Sequence, residues 1–209
     1  MKKIARQKIK LPRLAPVMVL PEALLFPNAL LPLFIFEPRY RAMLEWALEH
    51  DRMFCIALMK PGIEEARSDD DFYHVAGLGM VRACVEREDG TSHLILQGLA
   101  RVRFDGFVKQ KPFRIAELSE VASEAVSGGD GETLSAQVLE LCAEHRAHGM
   151  PVPDQLDEQL AQVGDPALLC DLVAHTFVRD PHRRQQVLEE ERVAERLRRL
   201  IAHLRAELS

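Results

Sequence analysis

The chain is 209 residues long, with 27 basic against 32 acidic side chains, a formal net charge of −5, and 47% of its residues are hydrophobic. That length holds one large domain or two modest ones, and that apolar content excludes a wholly disordered chain. Lys2, Lys3, Arg6, Lys8, Lys10 and Arg13 crowd the start with no acid among them, so residues 14–209 carry 21 basic against 32 acidic groups, about −11. A body that acidic repels phosphate backbones, which counts against nucleic acid as the main ligand, and the basic arm reads as a solvated terminus.

The most apolar run, Val17 to Phe36, is interrupted by Pro21, Glu22, Pro27, Asn28 and Pro32, whereas a membrane span needs about 20 largely unbroken apolar residues. The basic start runs into Leu11-Pro12-Arg13-Leu14-Ala15-Pro16 instead of an apolar core. No secretory leader and no membrane segment are therefore expected, and the expected compartment is the cytoplasm. Ala15 to Leu20, Leu30 to Phe36 and Met53 to Met59 are short apolar runs with Pro or charged boundaries, which predicts buried strands. Between the second and third, Pro38 opens a helix whose Tyr40, Met43, Leu44, Ala47 and Leu48 share one face. Gly62 to Asp71 is rich in acids and reads as a solvated loop.

Val75 to Glu86 and His93 to Leu99 flank Asp89-Gly90, a hairpin signal because Gly tolerates the positive φ of such turns. Arg101 to Val108 and Phe113 to Val121 complete the strands, and the alternation in Arg101-Val102-Arg103-Phe104 suits a strand with one wet face. Six or seven short strands with one helix among them predict a small closed or nearly closed barrel over residues 1–122. Residues 123–131 read as a linker, and residues 132–209 as a helical bundle, giving an α+β chain.

In that second half, Leu134, Val138, Leu141, Cys142 and His145 form one helix face, ended by Gly149 and Pro151. Asp154 can cap a short helix bearing Leu156, Leu160 and Val163. Asp165-Pro166 and Asp180-Pro181 each set a capping carboxylate before a Pro at the first helical position. Beyond Pro181, Val187, Ala194, Ile201 and Leu208 recur at heptad spacing, predicting one long helix, with Glu195 four residues before Arg199 on its polar face.

Chemistry-bearing constellations are scarce. Cys55, Cys84, Cys142 and Cys170 are scattered through apolar stretches and read as buried free thiols, against a disulfide framework or a zinc site. His145 and His148 have metal-compatible spacing but lack further ligands, so His145 reads as a polar residue suited to a helix C-terminus. Ser127-Gly128-Gly129-Asp130-Gly131 lacks the Lys of a phosphate loop and reads as linker. There is no GxSxG, and no catalytic residue, cofactor site or metal site is expected. Glu37 and Arg39 read as an ion pair fixing a strand-to-helix corner.

Leu31-Pro32-Leu33-Phe34-Ile35-Phe36-Glu37-Pro38-Arg39-Tyr40-Arg41 resembles the start of the N-terminal LON domain of Lon-type ATP-dependent proteases. Ala76 to Val81 looks like that family's Gly-containing strand, Gln97 to Phe104 like its Gly…Arg-Phe strand, and Asp165 through Leu188 like its helical subdomain. Phe34 stands where many relatives carry His, and the strand at Gly77 lacks the usual following Thr. The resemblance implies a PUA-like β-barrel followed by a helical bundle, with a role in binding proteins. It brings neither ATPase nor peptidase, since the chain holds no GxxxxGK[ST].

The expected function is thus non-catalytic capture of unfolded or exposed apolar protein segments, as a substrate-recognition or quality-control adaptor. Within Leu24 to Leu30, Pro27 and Asn28 should turn at the surface. Leu25, Phe26 and Leu30 are then either core residues or the contacts of a peptide site. The alternative is an RNA-binding PUA-like protein, with Arg101, Arg103 and the basic arm as phosphate contacts. One Trp and two Tyr offer it little stacking surface.

Overall fold

A computed structural model describes residues 10–126, 129–151 and 156–208. Most of the basic arm, Ser127-Gly128 and the capping residue Asp154 lie outside the described residues. Six strands, β1 (Leu14–Leu20), β2 (Leu30–Ile35), β3 (Met53–Leu58), β4 (Val75–Glu86), β5 (Ser92–Lys109) and β6 (Arg114–Glu120), form one mixed sheet. Their order is β2-β5-β4-β3-β1-β6, with β1 and β3 parallel and the other pairs antiparallel. The far half of β5 also pairs with β6, from Val102 opposite Glu120 to Lys109 opposite Ile115. The pairings therefore run from β5 through β4, β3, β1 and β6 back to β5, leaving β2 outside this ring as an edge strand. The two strands expected at residues 93–108 are one long strand, bent by bulges so that it can serve both β2 and β6.

β3 is buried along its whole length because it is covered on both faces. Met53, Cys55 and Ala57 join Val17, Phe72 and Phe104 on one side; Phe54 and Ile56 meet Met43, Leu44 and Ala47 of α1 (Pro38–Glu49) on the other. Pro38 opens α1 as expected, and the Tyr40 hydroxyl donates to the Val19 carbonyl at 2.8 Å, pinning the helix to β1. Burial raises the Tyr40 pKa, so it stays protonated and keeps donating.

The helices are α2 (Asp130–Ala147), α3 (Leu156–Ala161), α4 (Pro166–Phe177), α5 (Pro181–Glu189) and α6 (Val193–Leu208). Asp165 accepts from the Ala167 amide at 3.0 Å, and Asp180 from His182 and Arg183 at 2.8 and 3.1 Å, so both expected caps are formed. One apolar cluster joins Val138, Val173, Phe177, Leu197 and Leu204 of the helices to Leu24, Phe26, Leu58 and Val75 of the strand half. Bundle and sheet are parts of one core.

Two glycines explain how that core is closed. A Cβ on Gly77 would run into the Leu25 carbonyl oxygen, and one on Gly98 into that of Phe26. The bare backbone of β4 and β5 thus makes a slot in which the segment Leu24 to Ala29 lies flat against the sheet. The turn expected at Pro27-Asn28 is present, with Asn28 exposed at φ 66°, and the Asn28 amide donates to Gly98 O at 2.9 Å.

The second closure is ionic. Arg101 of β5, read from the sequence as lying on a wet face, is buried; its guanidinium forks onto Asp171 of α4, with Nη1 at 2.9 Å from Oδ2. Arg196 of α6, also buried, reaches the same carboxylate at 3.5 Å. Of the remaining donors, Arg101 Nε goes to Leu188 O at 3.1 Å, Arg196 Nε to Glu190 O at 3.0 Å, and Arg196 Nη2 to the Ser123 hydroxyl at 2.9 Å and Glu191 O at 3.4 Å. These bonds break the helix expected to run unbroken from Pro181. Carbonyls that would continue it are turned to the arginines, and the chain at Arg192 instead bridges Glu124. Within α6, Glu195 pairs with Arg198 at 2.6 Å instead of Arg199, which reaches back across the break to Glu190 at 3.3 Å.

Removing the shared carboxylate leaves two guanidinium groups buried without a counter-ion. Asp171→Ala should lower unfolding stability by about 3–5 kcal/mol in urea titrations. Arg103→Ala, which breaks an exposed pair with Glu191, should cost under about 1 kcal/mol.

Candidate polypeptide-binding face

β2 alternates in burial, but not in chemistry. Leu31, Leu33 and Ile35 turn inward onto the cluster that holds α1, while Leu30, Pro32 and Phe34 face solvent, followed by Phe36 just past the strand. Leu30 is 56% exposed, Phe34 47% and Phe36 58%. The register extends this face across two more strands. Phe34 stands opposite His93 of β5, which stands opposite Val85 of β4; Pro32, Ile95 and Ala83 make the next row. Val85 is 66% exposed. Phe34 stacks on His93 with ring centroids 4.6 Å apart, and Phe36 continues the stack at 5.7 Å.

These rows line a shallow groove of about 420 Å³ bounded by Pro32, Leu33, Phe34, Ala83, Val85, His93, Leu94 and Ile95. None of the eight is a Lys, Arg, Asp or Glu. Scattered apolar side chains are ordinary on a surface; a contiguous apolar face spanning three strands marks an interaction site.

A wider cleft of about 730 Å³ between α1, the 65–67 loop and the start of β6 is different in kind. It holds Arg39, Arg67, Lys111 and Arg114, but the arginines are engaged by Glu37 at 2.8 Å, Glu65 at 3.2 Å and Asp69 at 3.2 Å. The Glu37–Arg39 pair is the corner fixing expected from the sequence. Of the two arginines offered as phosphate contacts, Arg101 is buried and Arg103 pairs with Glu191.

The sequence-predicted contacts divide. Leu30 is on the exposed face, but Leu25 and Phe26 have no exposed surface, so a peptide cannot touch them in this fold. The physical reason is the glycine slot, which lets their backbone sink against β4 and β5 and sends both side chains inward. Arg101 lies over the Phe26 ring at 5.9 Å, and His175 of α4 meets its edge at 6.3 Å. Phe34, Phe36, His93 and Val85 were missed as site residues, and period-two alternation within a run apolar on both faces gave no signal for them.

Elsewhere the titratable groups are structural. Burial pushes Cys142 up to about 12 and raises Cys55 and Cys170 as well; all four cysteines are free. His145 is buried with Nε2 2.9 Å from Leu204 O. Among the described residues no group of three or more His, Cys, Asp or Glu is placed to hold a metal, and no helix is long and apolar enough to cross a membrane.

With this geometry in view, comparison with known proteins is specific. Residues 15–206 match the family described as the ATP-dependent protease La (LON) substrate-binding domain, and the chain belongs to that family. It is 25% identical over 202 residues to the Lon protease of Desulfosudis oleivorans, covering 95% of this chain and 24% of that protein. It is 29% identical over 194 residues to Lon protease 2 of Herpetosiphon aurantiacus, covering 92% of this chain and 24% of that one. The chain thus spans about a quarter of the length of these relatives. In fold it is similar to the N-terminal domain of the Mycobacterium avium complex Lon protease, with a TM-score of 0.72 at 19% identity over 92% of this chain and 98% of that one. The Lon N-terminal domain protein from Xanthomonas campestris gives 0.64 at 18% identity, covering 90% of this chain and 97% of that one.

Two outcomes follow from the placement of Phe26 and His175. Phe26→Ala should cost about 3–5 kcal/mol of stability, the penalty of emptying a packed aromatic site, measured by denaturant unfolding. His175 is held below its ordinary value of 6.5, chiefly by burial and next by the Arg184 charge, against a bond to the Leu30 backbone. The unfolded state then binds the proton more readily than the folded state, so stability is present above about pH 6.5 and falls as the solution is acidified below it. His175→Gln should flatten part of that decline between pH 7.5 and 5.5, as read from urea midpoints; His203, depressed in the same direction mainly by burial, carries another part.

Proposed function

We propose that this chain is a non-catalytic recognition module for unfolded or exposed apolar polypeptide segments, working as a substrate-recognition or quality-control adaptor. The observation that carries the reading is the uncharged apolar face made by β2, β5 and β4, which keeps Leu30 of the three contacts expected from the sequence and adds Phe34, Phe36 and Val85. Membership of a substrate-binding family supports the same conclusion. Four free cysteines suit a reducing compartment, which supports a cytoplasmic setting.

Burying a partner's Leu, Val or Phe side chains on this face contributes roughly 25 cal/mol per Å² of apolar area removed from water. Association itself costs several kcal/mol, so a few such side chains yield affinity near the micromolar level, about −8 kcal/mol. Fast exchange at that strength fits a receptor that samples many chains. The reading includes no ATP hydrolysis and no peptide cleavage by this chain.

Val85→Asp places a charge on the apolar face, beside His93, at an exposed position. It should weaken binding to a reduced, carboxymethylated and therefore permanently unfolded protein at least about tenfold, while the thermal midpoint stays within a few degrees of wild type. Equal binding by wild type and variant would remove this face from the function.

A further inference from the structure

We infer that the open edge of β2 around Phe34 receives its polypeptide partner as an additional β-strand, uncharged and apolar at every second residue. This inference deepens the reading above and rests on it.

β2 ends the strand order, and among the described residues β5 is its sole strand partner. The Gly98 amide donates to Ala29 O at 2.9 Å, one step before the register pair Leu30 and Gln97. In an antiparallel ladder this places 29, 31, 33 and 35 at the hydrogen-bonded positions and turns the main-chain groups of Leu30, Pro32 and Phe34 to the open edge. That edge is not uniform. The His175 ring of α4 lies beside the backbone of Leu30, where β2 begins. Pro32 has no N–H to offer, only its carbonyl. Phe34 is the position along β2 that has both a donor and an acceptor facing outward and stands clear of His175, so an incoming strand is registered on Phe34.

The same three residues point their side chains to the apolar face, so alternate side chains of an added strand would stand beside Phe34, about 4.5–5.5 Å from it between Cβ atoms. The charge of the face fixes the occupant's chemistry. The groove residues carry no Lys, Arg, Asp or Glu, and a charged side chain entering would lose its water without gaining a counter-ion. The open main-chain groups select an extended backbone, because a docked helix satisfies its own amides internally and leaves the edge unpaired.

The test uses the whole chain and a short fluorescent peptide alternating Val and Ser, read by anisotropy. Two N-methylated versions are compared with the parent, each methylated at one set of alternate amides. Strand addition predicts a phase effect: one version loses at least about tenfold in affinity and the other binds like the parent, because only every second amide of an added strand faces β2. Equal binding of both versions and the parent overturns strand addition while leaving the recognition face intact. No binding of the parent to wild type overturns the recognition reading itself. Tighter binding by an amphipathic helical peptide of the same apolar content, or a self-associated dimer that the parent peptide fails to dissociate in sedimentation, also overturns the inference.

Discussion

Two buried guanidinium groups sharing one buried carboxylate set the relation between the sheet and the helices. Arg101 comes from β5, Asp171 from α4 and Arg196 from α6, so the cluster joins three elements far apart in sequence. One negative charge does not balance two positive ones, and burial together with the like charge of Arg101 holds Arg196 below its ordinary pKa. The excess is spread over main-chain oxygens of Leu188, Glu190 and Glu191, whose partial charges point inward because α5 has stopped. A well-packed apolar trio could hold the same helices with less desolvation. What the ionic version adds is direction: a forked guanidinium accepts few alternative placements of α4 against β5.

β5 is also the strand that carries the recognition face, and this gives the cluster a bearing on function. Its first half pairs with β2 and β4, where Phe34, His93 and Val85 line up; its middle is clamped by Arg101. Phe26 links the two systems, packing beneath the Arg101 guanidinium with its backbone in the slot left by Gly98. A change at Asp171 or Phe26 would therefore reach that apolar face through the fold. The face itself can be altered at Val85 or Phe36 without touching that core, because both side chains are largely in solvent.

Local signals in the sequence were the ones that survived intact. Asp-Pro pairs marked the starts of α4 and α5, Pro38 the start of α1, and Asp89-Gly90 the β4–β5 turn, because each is decided within a few residues. What misled were residues whose fate depends on distant partners. Arg101 alternates with apolar neighbours like a solvated side chain, and only Asp171, 70 residues away, makes its burial tolerable. The heptad stripe through Val187 and Ala194 fits one helix perfectly well, yet Arg196 draws the intervening carbonyls out of it. Leu25 and Phe26 beside a surface turn can be core or contact by sequence alone, and Gly77 and Gly98 beneath them decide for the core. The recognition face was hidden for the opposite reason: Leu30 to Phe36 is apolar at both phases, so nothing in the run separates the inner residues from the outer ones.

A strand apolar on both faces at the edge of a sheet is a hazard, since an open edge recruits other chains. β2 is not protected by charge, as edge strands often are; its exposed positions are Leu, Pro and Phe. Protection comes from Pro32, which withholds one donor, and from His175, whose ring stands beside the Leu30 end of the edge. Both devices act on the N-terminal part of the edge and leave Phe34 open. Full blunting would have required only a Lys at Phe34, at little cost to stability on an exposed surface. A fold that restricts its sticky edge to one position, and keeps the adjoining face free of charge, has what the proposed capture of apolar strands requires. The buried arginine cluster holds that edge in place from behind.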